Sequence, residues 1–432
     1  MERLKFSVVI PTRERADTLY HTIRTCVSQD YDNLEIIVSD NASNDNTRDV
    51  VLSFKDKRIT YINTGKRISM SDNFEFALSH VKTEGYVIYI GDDDGLLPNA
   101  IHDINAVIVD TGAQVLRWDV PSFFWATLKM NKANQLHIPS LGSGITIRDS
   151  ATTIQNVLSF KAPYQSLPLM YIYSAVEYEV IRRIKSLSGR FYHSMTPDVY
   201  SGFAIAGAVD SFINSKRSYA IGGASHHSIG ASAMGGSRSS GVLQKYLNEN
   251  NAPFHSSLVI STSLQEVIIE NFLQARDYLP FFDKFTMHME QLLFEMMKEA
   301  AVKPQNYYMG IKDVVLQIGQ MHNIPYAAQR AIAANPMKAP GSGRKLTVRN
   351  LGRAGLIVAS QFIKDLRKRS IYIDCSYLNV NNIYDASLLC DHILRLKDMN
   401  ILGFSTVVKS SLANIKRMIV PGEQNSEPRQ EM

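Results

Sequence analysis

The sequence has little cysteine, no long hydrophobic run and little net charge, and each shortage excludes something. Three cysteines in 432 residues (Cys26, Cys375 and Cys390) are too few and too scattered for a disulfide framework or a zinc site. The expected compartment is therefore a reducing cytoplasm. Apolar stretches fall short of the roughly 18–20 residues needed to cross a bilayer. The opening MERLKFSVVIPTRERAD has only a short apolar stretch before a cluster of charges, so it reads as a buried strand rather than a signal peptide. With 46 Lys plus Arg against 41 Asp plus Glu, the formal charge of +5 is too mild to argue for a nucleic-acid partner. What remains is an ordinary globular composition, 45% hydrophobic and 20% charged. At roughly 100–200 residues per domain it allows two to four domains, each with its own core.

The first 120 residues alternate in a regular way. Apolar, β-rich runs at 6–10, 34–38, 59–62 and 86–90 are separated by segments of helical character at 15–28, 46–55 and 72–81. In the first of these, Leu19, Ile23, Cys26 and Val27 fall at helical spacing. Strands that are apolar almost throughout, alternating with helices, predict an open α/β domain with a mostly parallel sheet covered on both faces. Ligands of such sheets bind beyond the carboxyl ends of the strands. The polar residues gather there: Asp40 follows the second run, and Asp92-Asp93-Asp94 follows the fourth.

Beyond residue 112 the pattern loosens. Residues 113–120 read as a further strand, 175–187 as a helix, and the stretch from 196 as a loop entering a helix. Residues 218–221 read as a short strand running into GGASHHSIGASAMGGSRSSG, a composition suited to a flexible loop. Residues 241–335 are predominantly helical by apolar spacing. A linker is expected at Pro340-Gly341-Ser342-Gly343, and 421–432 read as a disordered tail.

Asp92-Asp93-Asp94 is the sharpest chemical feature. Three adjacent carboxylates repel one another, and a divalent cation such as Mg2+ or Mn2+ removes that repulsion with hard oxygen ligands. An acidic turn capping the following helix explains the triplet equally well. Its place on the sheet rim favours the metal. Asp40, taken alone, is better explained as turn chemistry. Pro11-Thr12-Arg13-Glu14-Arg15, directly after the first strand, offers backbone groups and cations to a base and a phosphate, or simply ends a strand and starts a helix.

Together, SVVIPTRERADTL, LEIIVSDNASNDNT and YVIYIGDDDGLLPNAI resemble family 2 glycosyltransferases, the inverting nucleotide-sugar enzymes of the GT-A fold. Order and spacing agree over roughly residues 6–101 and weaken after about 120. The resemblance implies a GT-A-like domain over residues 1–240, with the donor half to about 120 and the acceptor half beyond. A helical extension over 241–340 and a basic region with a disordered tail over 341–432 would follow. It implies that Pro11, Thr12 and Glu14 line the nucleotide pocket, that Asp40 holds base or ribose, and that Asn73 and Asp92 belong to the same donor site. Asp93 falls at the principal metal carboxylate, with Asp94 beside it. One departure stands out: Gly91 occupies the place of the first Asp of the family's D-x-D-D.

Inverting transfer needs a base to deprotonate the acceptor hydroxyl. By the family pattern that base opens a helix in the acceptor half, where Asp198 in Thr196-Pro197-Asp198 is the match; ordinary helix capping is the plainer reading. Glu177 competes on weaker grounds. In the Gly/Ser-rich segment, His226, His227 and Arg238 are candidates for the diphosphate, with His227 a further metal ligand, although loop histidines are usually solvated bystanders. Residues 344–369 hold eight Lys or Arg against the single acid Asp365. They read as a solvated helix face, or as a helix lying on an anionic membrane surface.

The partners that the resemblance implies are a nucleotide-sugar, with UDP the commonest in the family, and a saccharide or lipid-linked acceptor, handled in the cytoplasm, with the inner membrane face as the further expected place of action. Two rivals remain. A nucleotidyltransferase would carry a Gly-rich loop after the first strand, which is absent from PTRERAD. A non-catalytic nucleotide-binding scaffold gains from the missing first Asp and loses from the presence of Asp93 and Asp198.

Overall fold

The computed structural model describes residues 2–128, 133–226, 249, 252–338, 370–376 and 378–398. Strand and helix alternate from the start: β1 (Phe6–Thr12), α1 (Ala16–Val27), β2 (Leu34–Asp40), α2 (Thr47–Ser53), β3 (Ile59–Asn63), α3 (Met70–Ser79) and β4 (Tyr86–Tyr89). Then come β5 (Gly95–Leu96), α4 (Ala100–Thr111), β6 (Val115–Trp118), β7 (Ser122–Phe124), β8 (Gln135–Ile138), β9 (Ile145–Asp149) and α5 (Ser150–Leu158). The next stretch holds β10 (Ser174–Glu177), α6 (Tyr178–Ser188), α7 (Pro197–Ala208), β11 (Ser211–Ser215) and β12 (Ala220–Ala224). Four helices follow, α8 (Leu264–Tyr278), α9 (Met289–Ala300), α10 (Gln305–Met321) and α11 (Pro325–Ala334), and last β13 (Ile371–Asp374) and α12 (Ile383–Asp398).

The main sheet has the order β3-β2-β1-β4-β10-β6-β11-β9. Its first four strands are parallel, and β10 enters antiparallel to both neighbours. Both faces are covered, which is why the strands look apolar without alternation. Val9, Ile37 and Val87 face one core with α3, α5, α6, α7 and the helices α8 to α11; Phe6, Val8, Ile10, Ile36 and Val38 face the other with α1 and α4. Each fully buried Val or Ile there contributes about 1.5–3 kcal/mol. The open α/β sheet flanked by helices, and the helical part that follows it, are thus present as the sequence implies.

Local chemistry sets where the helices begin. No side chain of the preceding residue caps α1. Instead Asp45, in the loop after β2, accepts the Ala16 amide at 3.0 Å and the Thr47 amide at 3.1 Å, so one carboxylate starts both α1 and α2. Asp149 and Ser69 cap α5 and α3 in the usual way, accepting amides three residues on.

A second, five-stranded sheet runs β13-β8-β7-β12-β5. Its core joins Phe123, Leu136, Ile138 and Ile221 to Ile383, Ala386, Leu389 and Ile393 of α12, so residues 371–398 pack onto the first half of the chain. Here the structure differs from the expectation of a flexible loop after residue 221. β12 continues through Gly222, Gly223 and Ala224, paired in parallel with β7. Most of the Gly/Ser-rich segment, the basic stretch 344–369 and the tail 421–432 lie outside the described residues. Among the described residues, no helix is long and apolar enough to cross a membrane.

Candidate active site

The parallel strands bring their carboxyl ends to one rim. Thr12 ends β1 directly beside Asp40 at the end of β2. From β4 the chain passes through Ile90 and Gly91 to Asp92, Asp93 and Asp94, each only 3% exposed. Three adjacent carboxylates are buried here, and each is held differently. Asp92 accepts the Arg15 Nη1 at 2.7 Å. Asp93 Oδ2 accepts the Ser225 hydroxyl at 2.7 Å and its amide at 3.3 Å, and the Asp93 carbonyl accepts Trp125 Nε1 at 3.2 Å. Asp94 accepts two amides at 2.7 Å, Gly91 on Oδ2 and Gly223 on Oδ1. Its carbonyl accepts the Thr22 hydroxyl at 2.7 Å.

The electrostatics follow from that packing. Burial pushes the Asp94 carboxyl up to about 8, the Asp93 charge adds to it, and the two amide bonds oppose it. Burial raises Asp92 as well, Arg15 pulls it back, and Asp93 pushes it up again. Burial likewise works against the Arg15 charge, but Asp92 and Asp93 outweigh it and hold the guanidinium firmly protonated. Two of the three carboxyls thus favour protonation, the electrostatic state that a divalent cation would relieve. Among the described residues, no three His, Cys, Asp or Glu side chains already form a metal-ligating array.

Two glycines are dictated by this crowding. A Cβ on Gly223 would overlap the Asp93 carbonyl and crowd Trp125 Nε1, so β12 reaches the triplet only as bare backbone. A Cβ on Gly91 would overlap the Tyr171 hydroxyl and crowd the Asp94 carboxylate. The space a side chain at position 91 would take is thus occupied by the Tyr171 hydroxyl and the Asp94 carboxylate.

Asp198 sits in the first turn of α7, after Pro197. A short relay ties this turn to the segment before β10: the Met170 amide donates to Ser201 Oγ at 2.9 Å, and that hydroxyl donates to the Asp198 carbonyl at 2.6 Å. Burial raises the Asp198 carboxyl above the usual range, against backbone hydrogen bonding at the helix start. Its charge also acts on Tyr164, Tyr171 and Tyr173. Glu177 lies elsewhere. β10 runs antiparallel to β4 and sets Glu177 opposite Tyr86, at the amino end of β4 and the far rim from the triplet.

The remaining donor-side candidates line the same rim, and several also brace it. Glu14 adopts a left-handed φ of 55°, donates its amide to Ser43 Oγ at 2.8 Å and accepts the Asn44 amide at 3.0 Å. That stitches the loop after β1, a strand that ends on Pro11 and Thr12, to the loop after β2. Asp40 accepts the Ser43 amide at 2.9 Å, Tyr61 Oη at 2.7 Å and Asn63 Nδ2 at 3.0 Å. Asn73, on α3, accepts the Ser39 hydroxyl at 2.7 Å. His226 follows Ser225, which brings it next to the Asp93 anchor. His227 and Arg238 lie outside the described residues. Sequence reasoning missed Ser225, Tyr171 and the Arg15–Asp92 pair. A Ser within the GGASHH run and an Arg in PTRERAD were the available signals for two of them; nothing local marks Tyr171.

An open α/β sheet binds its ligands beyond the carboxyl ends of its parallel strands, which is where the buried carboxylates gather here. Residues 7–169 match the model of glycosyl transferase family 2. One relative is the GalNAc(5)-diNAcBac-PP-undecaprenol beta-1,3-glucosyltransferase of Campylobacter jejuni, 37% identical over 100 residues, which are 22% of this chain and 32% of that protein. Another is the UDP-Glc:alpha-D-GlcNAc-diphosphoundecaprenol beta-1,3-glucosyltransferase WfaP of Escherichia coli, 33% identical over 88 residues, 20% of this chain and 35% of that one. The chain thus spans about a third of the length of these curated relatives. A crystal structure of S. aureus TarS 1-349 is 13% identical, with a TM-score of 0.40 over 76% of this chain and 89% of that one.

Proposed function

We propose that the chain is a metal-dependent inverting glycosyltransferase that moves a sugar from a nucleotide-sugar, with UDP the leading candidate base, to a hydroxyl acceptor in surface polysaccharide or glycolipid assembly. The observation that carries this reading is the buried Asp92–Asp94 triplet on the carboxyl rim, with Tyr171 under the charges of both the triplet and the half-buried Asp198. The match of residues 7–169 to the glycosyl transferase family 2 model supports the reaction class. The undecaprenol-linked substrates in the names of the two relatives support a lipid-linked saccharide as acceptor, met at the inner face of a membrane.

The residues fit a divalent cation: hard oxygen donors, and carboxyls that favour protonation in the absence of positive charge. Asp93, with Asp92 beside it, would hold Mn2+ or Mg2+. Asp94 braces β12 through the Gly223 amide and its own turn through the Gly91 amide, and completes the set. When bound, the ion supplies charge neutralisation for the leaving diphosphate. Pro11, Thr12, Glu14, Asp40 and Asn73 form the nucleotide side, with His226, His227 and Arg238 closing toward the diphosphate. The division into a donor half to about residue 120 and an acceptor half to about 240 follows from the same reading.

Asp198 is the base. As the acceptor oxygen forms its bond to the anomeric carbon, the bond from that carbon to the diphosphate oxygen breaks, and the acceptor proton passes to the Asp198 carboxylate. Attack opposite the leaving group inverts the configuration. A raised carboxyl suits this task, since a base works best with a pKa nearer the working pH. The test is product analysis with nucleotide-sugar, Mn2+ and undecaprenol-linked saccharide acceptors. Release of nucleoside diphosphate with an inverted linkage supports the reading, and release of pyrophosphate rejects it.

A further inference from the structure

The site contains one side chain that neither the motif nor the mechanism above uses. Tyr171 stands at the start of the turn into β10, where the Ile172 amide donates to the Tyr89 carbonyl at the end of β4. Because β10 is antiparallel, this end lies on the carboxylate rim. The ring is positioned beside Phe74, with centroids 6.3 Å apart. Its hydroxyl reaches over Gly91, into the space a side chain at position 91 would fill, next to the Asp94 carboxylate. On its other side, the neighbouring Met170 is bonded through Ser201 to the Asp198 backbone. The charges of the triplet and of Asp198 both act on its phenol, so Tyr171 is near both the triplet and the candidate base.

In an inverting transfer the leaving diphosphate and the base flank the reacting carbon, so what lies between the triplet and Asp198 is the transferred sugar. We propose that the Tyr171 hydroxyl contacts the transferred sugar, replacing the carboxylate missing at position 91 with a neutral hydrogen-bonding group. This rests on the donor-site reading given above. The exchange changes what the site offers: a phenol both donates to a sugar oxygen and accepts from a sugar hydroxyl, whereas a carboxylate only accepts. A phenol, with an ordinary pKa of about 10, is protonated at neutral pH and so able to donate.

The experiment compares Tyr171→Phe with wild type, full chain, in Mn2+, by calorimetric titration with UDP, GDP, UDP-glucose, UDP-GlcNAc and GDP-mannose. The proposal expects nucleoside diphosphate affinity to stay within about twofold while the matching nucleotide-sugar weakens roughly three- to tenfold, the loss of one hydrogen bond. Gly91→Ala supplies a second readout: it lowers the melting temperature in wild type, and less in a Tyr171→Ala background, where only the crowding against the Asp94 carboxylate remains. Equal losses for diphosphate and nucleotide-sugar, or no loss for either, would overturn the role of Tyr171 while leaving the donor site standing. Wild type that binds neither ligand would remove the donor-site reading and this inference with it.

Discussion

At the scale of single residues, the site balances charge against burial, and its predictions concern individual side chains. Asp198→Asn keeps the shape of α7 and removes the base; kcat should fall about 10²- to 10⁴-fold while nucleotide binding persists. A raised carboxyl base must be ionised to act, so wild-type kcat should fall as pH drops through a value above the ordinary 3.8 of an aspartate, and Asp198→Asn should lose that limb. A rate profile from pH 4 to 9 checks both. Gly223→Ala forces a methyl into the Asp93 carbonyl and should cost about 1–3 kcal/mol of stability, read by urea unfolding. The sequence made Asp93 and Asp198 visible because acids after a buried strand and at a helix start stand out locally. It hid Tyr171 and the need for Gly223, because both depend on atoms far away in the chain.

At the scale of elements, α8 carries an unusual load. Glu266 on that helix is fully buried, bonded to the Ser261 hydroxyl, with Glu270 one turn on. Burial pushes Glu266 up to about 7, against the Ser261 bond. The folded state thus holds a proton that the unfolded chain releases near the ordinary 4.5. The resulting stability is fully present below that value and is lost as pH rises through about 7. Glu266→Gln should therefore flatten the decline of melting temperature between pH 5 and 8, and stabilise the protein at pH 8. An unchanged slope would mean that Glu266 stays ionised. The α8 helix itself was legible from its apolar spacing, but its buried acids were not, since i, i+4 Glu positions in a sequence read equally well as a solvated face. β12 was misjudged for a related reason. Glycine usually marks a loop, yet Gly222 and Gly223 are strand residues where the strand must approach the triplet closely.

At the scale of the whole molecule, the strand–helix order of the first 120 residues carries into the sheet because strands buried on both faces need apolar residues at every position. That constraint is strong enough to read directly. The return of β13 and α12 to the second sheet was not readable, since nothing near residues 371–398 names β8 or β5 as a partner. The consequence is that the chain's later part supports the sheet containing β12, and through Gly223 and Ser225 the triplet itself. The central claim, a metal-dependent nucleotide-sugar site centred on Asp93, is tested most directly by thermal stabilisation with a panel of nucleoside diphosphates and nucleotide-sugars, with and without Mn2+, on wild type and Asp93→Ala. Ligand at about 100 times Kd should add about 2.7 kcal/mol of stability. The account predicts a shift with one nucleotide class that requires Mn2+ and vanishes in Asp93→Ala; no shift with any nucleotide, or one indifferent to both Mn2+ and Asp93, would contradict it.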